Sequence, residues 1–216
     1  MNYSKGKSGN KFNLLNILFP PHCLICGKET NGEGICDDCR EKIEYLNYPL
    51  IEHKKNIYFY AITRYSGVME KAVKILKYKK RKIIAKDLSK IIIHFVEEQG
   101  IHFDYVAFIP MTRLEQTERG FNQTYLLAKE ISSTYQIPML MSLKKVKRTD
   151  KQVGLNKKER EENLKGAFRM EKTVKGDILI VDDVYTTGST AREITKTVVR
   201  KTNSNIYFVA LSRKMD

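Results

Sequence analysis

No run of apolar residues in this chain reaches the ~18 that a membrane-crossing helix needs, so no membrane span is expected. The nearest thing to a targeting signal is Phe12–Phe19, an apolar patch behind Lys5, Lys7 and Lys11. It runs into Pro20-Pro21-His22-Cys23 with no small-residue cleavage site, and so reads as a short amphipathic segment packed on the protein. A cytoplasmic location is the resulting expectation. No Gly-x4-Gly-Lys-Ser/Thr run occurs, which excludes a Walker-type phosphate loop. No internal repeat is visible. Acidic residues are missing altogether between Lys71 and Lys86, a stretch that holds eight Lys/Arg.

What the chain does have is positive charge. The net charge is +14 over 216 residues, enough for one sizeable core with a small appendage. A second basic cluster, Lys144–Lys165, sets nine Lys/Arg against four acids. Either cluster alone could be a solvated face. Two in one strongly basic chain favour a polyanionic ligand, either nucleic acid or a heavily phosphorylated small molecule.

Cysteine is scarce and concentrated. All four cysteines fall in Cys23-x-x-Cys26 and Cys36-x-x-Cys39, with nine residues between the pairs. Two tight turns carrying two thiolates each make a tetrahedral site for structural Zn2+, with no position left for a catalytic water. Gly27 suits a positive-φ place in the first turn. Two disulfides would need an oxidising compartment that nothing here indicates. His22 adjoins Cys23, but four thiolates already fill the shell.

Patterning then sketches a domain. Asn56–Tyr65 alternates as a strand, and Gly67–Tyr78 and Lys82–Gln99 have helical spacing, with Gly100 as a stop. Asp104–Pro110 reads as a strand, Gly120 to about Tyr135 as a helix, and Pro138–Leu143 as a short strand. Lys144–Lys165 reads as a long functional loop with some helix near Lys157–Asn163. Ala167–Met170, Asp177–Val181 and Asn205–Leu211 are expected strands, and Thr190–Lys201 a helix. This alternation implies an α/β fold with a mainly parallel sheet and helices on both faces. The expected division is residues 1–50 for the apolar segment and four-cysteine module, and 51–216 for the α/β domain.

The stretch with the most chemistry is Ile178-Leu-Ile-Val-Asp182-Asp183-Val-Tyr-Thr186-Thr187-Gly188-Ser189-Thr190. Two carboxylates follow a buried strand, at the sheet end where α/β folds bind ligands. The hydroxyls and N–H groups of residues 186–190, with the start of the next helix, form a phosphate cradle. One ligand with two ends fits both: a phosphate in the turn, and sugar hydroxyls on the carboxylates, directly or through a divalent cation. A receiver domain also opens with an acidic pair, but needs more strand–helix units than the 33 residues after Asp183 supply. A turn whose Ser/Thr merely cap a helix would leave the paired Asp unexplained.

These residues resemble the signature of type I phosphoribosyltransferases, which bind phosphoribosyl pyrophosphate (PRPP). The chain as a whole, from about residue 12 to 213, resembles the ComF family of competence proteins. The matching pieces are the apolar lead into Pro-Pro-x-Cys, the four cysteines, Leu76-Lys77-Tyr78 and Arg119-Gly-Phe-Asn122-Gln123. They continue through Gln152 and Leu155, Arg160 and Asn163 before Gly166-Ala-Phe168, the acidic turn, and Ala210-Leu-Ser-Arg213. One departure is Glu115, which stands where the family carries an arginine; Arg113, two residues earlier, is the expected substitute.

The resemblance implies a type I phosphoribosyltransferase fold with an N-terminal zinc finger. It implies that Asp182 and Asp183 meet the ribose hydroxyls and that Thr186, Thr187, Gly188, Ser189 and Thr190 cradle the 5′-phosphate. Arg113 and Lys77 would face pyrophosphate, and Mg2+ would accompany PRPP. Arg119, Asn122, Gln152 and Arg160 would belong to the site wall or to a mobile loop over it. It further implies a role in natural transformation, handling incoming single-stranded DNA with a helicase partner. If the chain is an enzyme, the reaction displaces pyrophosphate from C1′. A PRPP-sensing scaffold without catalysis is the alternative, and a nucleobase-salvage enzyme a more distant one. Tyr45, Tyr48, Tyr58, Phe59 and Tyr60 are the aromatics offered for base stacking, each more readily a core or strand residue.

Overall fold

Ile178–Val181 is apolar at every position because it is covered on both sides, the mark of a central parallel strand. In the computed structural model, which describes residues 20–78, 82–147, 149 and 157–215, that strand lies inside a five-stranded sheet. The strands are β1 (Leu50–Lys54), β2 (Ile57–Arg64), β3 (Tyr105–Phe108), β6 (Ile178–Tyr185) and β7 (Ile206–Arg213). Their order is β1-β2-β7-β6-β3, parallel throughout except for the β1–β2 pair. The α/β class with a mainly parallel sheet is therefore as expected. β1 was not foreseen. It turns into β2 through Lys55 and Asn56, with Lys55 at φ 54°, so the hairpin lacks the glycine that would advertise it.

Side chains alternate across the sheet. Leu179, Val181, Val209 and Leu211 face a core shared with α2 (Gly67–Tyr78), α3 (Lys82–Glu98) and α5 (Gln123–Tyr135). Ile178, Ile180, Phe208 and Ala210 face the other core, closed by α7 (Ser189–Val198). Between β3 and β6 the chain makes a short helix α4 (Arg113–Arg119), then α5, and then an excursion over the α7 face. That excursion is a two-stranded hairpin, β4 (Leu143–Lys145) with β5 (Phe168–Met170), carrying helix α6 (Lys157–Leu164). The basic segment expected as a loop with some helix near Lys157–Asn163 carries that helix as α6, and its start is strand instead of loop. Buried Leu143, Leu164, Phe168 and Met170 anchor the whole excursion to the core. The strand expected at Pro138–Leu143 instead begins at Leu143, and Met139 makes a single bridge to Val106.

The four-cysteine module, including helix α1 (Asp37–Arg40), lies against α3. Cys23, Ile35, Cys39 and Ile43 join the core beneath α2 and α3. Buried Asp87 of α3 accepts the backbone N–H groups of Gly34 and Ile35 at 2.8 and 3.0 Å on one oxygen. Its other oxygen is 3.1 Å from Arg40 Nη2, close enough for an ion pair though not aligned as a hydrogen bond. The amphipathic segment expected at Phe12–Phe19 lies outside the described residues.

Candidate functional site

Adjacent strands whose following connections leave to opposite faces open a crevice at their carboxyl ends. β3 and β6 are such a pair. After β3 the chain passes to the face of α5, and after β6 to the face of α7. β3 ends at Phe108, which pairs with Val181. β6 runs four residues further, so Asp182 and Asp183 project past the end of their neighbour while still paired to β7 on the other side. The expected strand end at Val181 was too early by those four residues.

Because side chains alternate along a strand, the two carboxylates leave on opposite faces. Asp183 points toward the α2 side and is 4% exposed. Lys77 Nζ lies 2.9 Å from its Oδ1, whereas Oδ2 is buried with no hydrogen-bond partner among the described residues. Burial works against the Lys77 charge, but the attraction of Asp183 and Asp182 outweighs it and raises the ammonium pKa above its ordinary value. Asp182 points toward the α7 side, half-buried, and accepts the backbone N–H of Asp183 at 2.8 Å. Desolvation first, and repulsion from Asp183 second, push its carboxyl up to about 8.

Beyond the aspartates a narrow concavity is lined by Asp182, Tyr185, Thr186, Gly188, Ser189 and Thr190. Gly188 caps α7 at φ 75°, a conformation glycine adopts without strain. A β-carbon there would collide with Tyr185 Oη and Arg192 Nη1, so any other residue would have to displace both side chains. The Thr187 and Ser189 hydroxyls bond each other at 2.8 Å, and α7 presents its first N–H groups, which have no intrahelical acceptors, to the same place.

The remaining expected site residues divide. Arg113 opens α4 in the loop after β3 and is exposed. Glu115 closes a capping box with Thr112 and pairs with Lys145, so the residue replacing the family's arginine ties α4 to β4. Asn122 caps α5 and donates from Nδ2 to the Ile109 carbonyl at 2.9 Å, bracing the turn after β3. Arg119 bonds Gln123 Oε1 at 3.0 Å. Asn122 thus braces backbone, whereas the Arg119 bond is side chain to side chain. Arg160 lies on α6, and Gln152 lies outside the described residues.

Sequence reasoning gave no role to Arg192. Its Nη2 donates to the Thr187 carbonyl at 2.6 Å and lies 3.1 Å from Glu161 Oε1 on α6. Nothing in the sequence marks it, since an arginine on a helix is ordinary. Asp87 did leave a sign: it is the first acid after the acid-free run from Lys71.

The four cysteines converge, all Sγ atoms lying within 4.8 Å of one another. The Cys23–Cys39 and Cys26–Cys36 sulfurs are 3.9 and 3.6 Å apart. Tetrahedral zinc with ~2.3 Å bonds separates its sulfurs by about 3.8 Å, so the cluster fits that ion and is too wide for disulfides. The Gly27 N–H bonds back to the Cys23 carbonyl at 2.9 Å, with Gly27 at φ 79°, as the first turn requires. Between this module and α2 runs an open groove of Leu24, Ile25, Ile75 and Tyr78, flanked by exposed Lys71 and Lys74. Tyr78 is 70% exposed. The aromatics expected for stacking are mostly engaged. Phe59 is core, Tyr60 packs edge-on to Phe95, and Tyr58 lies between His53 and Tyr207, leaving Tyr48 exposed.

Residues 14–50 match the model of the double zinc ribbon domain. The chain's four cysteines supply one four-thiolate site. The DNA utilization protein YhgH of Escherichia coli O6:H1 is 30% identical over 161 residues, covering 71% of each chain. Competence protein ComFC of Bacillus subtilis is 24% identical over 187 residues, covering 83% of this chain and 72% of that protein. Among solved structures, adenine phosphoribosyltransferase of Leishmania donovani aligns with a TM-score of 0.43 at 10% identity, over 76% of this chain and 86% of that one.

Proposed function

The chain belongs to the ComF family of competence and DNA-utilization proteins, and from that premise we propose that it binds PRPP at the carboxyl end of β6 and couples that site to single-stranded DNA. The observation that carries the reading is Asp183 Oδ2: a buried carboxylate oxygen with no hydrogen-bond partner among the described residues, at the end of β6 where it outruns β3. Leaving such an atom unpaired costs on the order of 1–3 kcal/mol, which a hydroxyl donor from a ligand would offset. The narrow cradle suits a phosphate, with the pentose outside it across the aspartates. This is a type I phosphoribosyltransferase arrangement.

The acid pair suits hydroxyls better than a resident cation. Lys77 already compensates Asp183, and Asp182 favours its protonated form. Magnesium, arriving with PRPP, would be held by pyrophosphate oxygens and would offset their charge. Arg113, the first residue of α4 after β3, is the cation we assign to pyrophosphate. Calorimetry with PRPP and magnesium tests the site. Wild type binds, and the Asp182→Asn, Asp183→Asn double variant, folded and zinc-loaded, does not. Wild-type affinity in the double variant would put the site elsewhere.

The groove between the zinc module and α2 supports the second half of the reading. It combines an exposed tyrosine, an apolar floor and two lysines, the elements of a single-strand stacking platform. Affinity for an oligothymidine should fall steeply between ~50 and 200 mM salt, and Tyr78→Ala should weaken it about tenfold or more. A flat salt profile would count against this half alone. The family's helicase partner and cytoplasmic location belong to the same proposal.

A further inference from the structure

The geometry points to Arg192 as a positioning residue that locks one peptide group of the phosphate cradle, an inference that rests on the reading of that cradle as a 5′-phosphate site. A peptide is planar, and its C=O and N–H point in opposite directions. The Thr187 carbonyl is held outward by Arg192 Nη2 at 2.6 Å. The N–H on the other side of the same peptide is that of Gly188, a residue that lines the concavity, whereas Thr187 does not. The Gly188 N–H is therefore directed toward the place of an incoming anion.

That orientation needs a lock. Gly188 sits at φ 75° and has no side chain, so the Thr187–Gly188 peptide can rotate to the reverse orientation with little steric cost. The reversed peptide would aim a carbonyl at the phosphate and repel it. Arg192 is well placed to prevent this. Its Nη1 would lie 2.6 Å from a β-carbon on Gly188, so the guanidinium packs directly against the turn. The same group faces Tyr185, the last residue of β6, and Glu161 of α6. Glu161 shares Nη2 with the Thr187 carbonyl, so the charge of α6 bears on the lock without belonging to it.

The experiment compares wild type, Arg192→Ala and Arg192→Lys for binding of ribose 5-phosphate and, separately, of pyrophosphate. It also follows the Gly188 amide by 15N NMR during the ribose 5-phosphate titration. Arg192→Ala is expected to lose about tenfold or more in affinity for ribose 5-phosphate while pyrophosphate binding stays within about twofold. Arg192→Lys, which can still donate to one carbonyl, restores part of the loss. The Gly188 amide shifts on titration in wild type and is displaced even without ligand in Arg192→Ala. Equal loss for both ligands, or full ribose 5-phosphate affinity in Arg192→Ala, overturns the lock. If Arg192→Ala does not fold, Arg192→Met, which keeps the aliphatic packing, takes its place under the same criteria. A wild type that binds neither ribose 5-phosphate nor PRPP brings down the cradle itself, a result distinguishable from failure of the lock alone.

Discussion

The attachment of the zinc module and the crevice at the end of β6 each turn on one buried aspartate, and the two are used in opposite ways. Asp87 is 5% exposed and Asp183 is 4% exposed. Around Asp87 both oxygens are engaged, one by two backbone N–H groups and the other by Arg40 and Lys90. Around Asp183 one oxygen meets Lys77 and the other has no hydrogen-bond partner among the described residues. A buried carboxylate whose two oxygens both meet donors or cations inside the protein fixes structure, because its own desolvation is compensated there. A cluster left one bond short stores a cost that a ligand can relieve. Burial alone does not separate the two; the count of partners does.

The sharpest way to break this comparison is to remove each carboxylate and measure stability by urea unfolding. Asp87→Ala leaves the half-buried Arg40 without its main counter-charge and two backbone N–H groups without acceptors. It is expected to cost about 3–5 kcal/mol and to speed loss of zinc to a chromogenic chelator. A cost under about 1 kcal/mol would mean that apolar contact alone holds the module on α3.

Asp183→Asn should behave differently under the same measurement. It removes an ion pair with Lys77 but also removes a buried, half-unpaired charge, and the two effects oppose. Stability is expected within about 1 kcal/mol of wild type, in either direction, while PRPP binding is lost. A loss as large as that of Asp87→Ala would make Asp183 a structural residue and erase the contrast.

The same contrast explains what could be seen in the sequence. The zinc site was legible because its ligands lie in two local turns and the spacing carries the geometry. The parallel sheet was legible from apolar runs alternating with helical periodicity, and the acidic turn from two carboxylates beside hydroxyls and glycine. Asp87 and its partners at residues 34, 35 and 40 are separated by about half a hundred positions, so their meeting is a product of tertiary packing. The opposite-facing aspartates depend on β6 continuing four residues past β3, and apolar patterning stops where polar site residues begin. Glu115 looked like a damaged site position. It became intelligible only when Lys145 and the capping box appeared beside it.

A pH series tests the electrostatics of the crevice directly. Folding raises the Asp182 carboxyl to about 8 from an ordinary value of 3.8, by desolvation and by the neighbouring Asp183. A carboxyl raised on folding keeps its proton longer in the native state than in the unfolded one. Its contribution is intact below the unfolded value and is lost as pH rises through the folded one. Wild-type stability should therefore carry a downward slope between about pH 4 and pH 8 that Asp182→Asn, which cannot ionise, does not share. The variant gains on wild type as pH increases, and its advantage at pH 8 over pH 5 is the quantity to measure. A phosphate-bearing ligand adds negative charge to the same crevice, so its binding favours the protonated form and should weaken as pH climbs through 8. Parallel stability curves for wild type and variant would place Asp182 in a well-solvated setting, and would leave Asp183 as the single unusual charge at the end of β6.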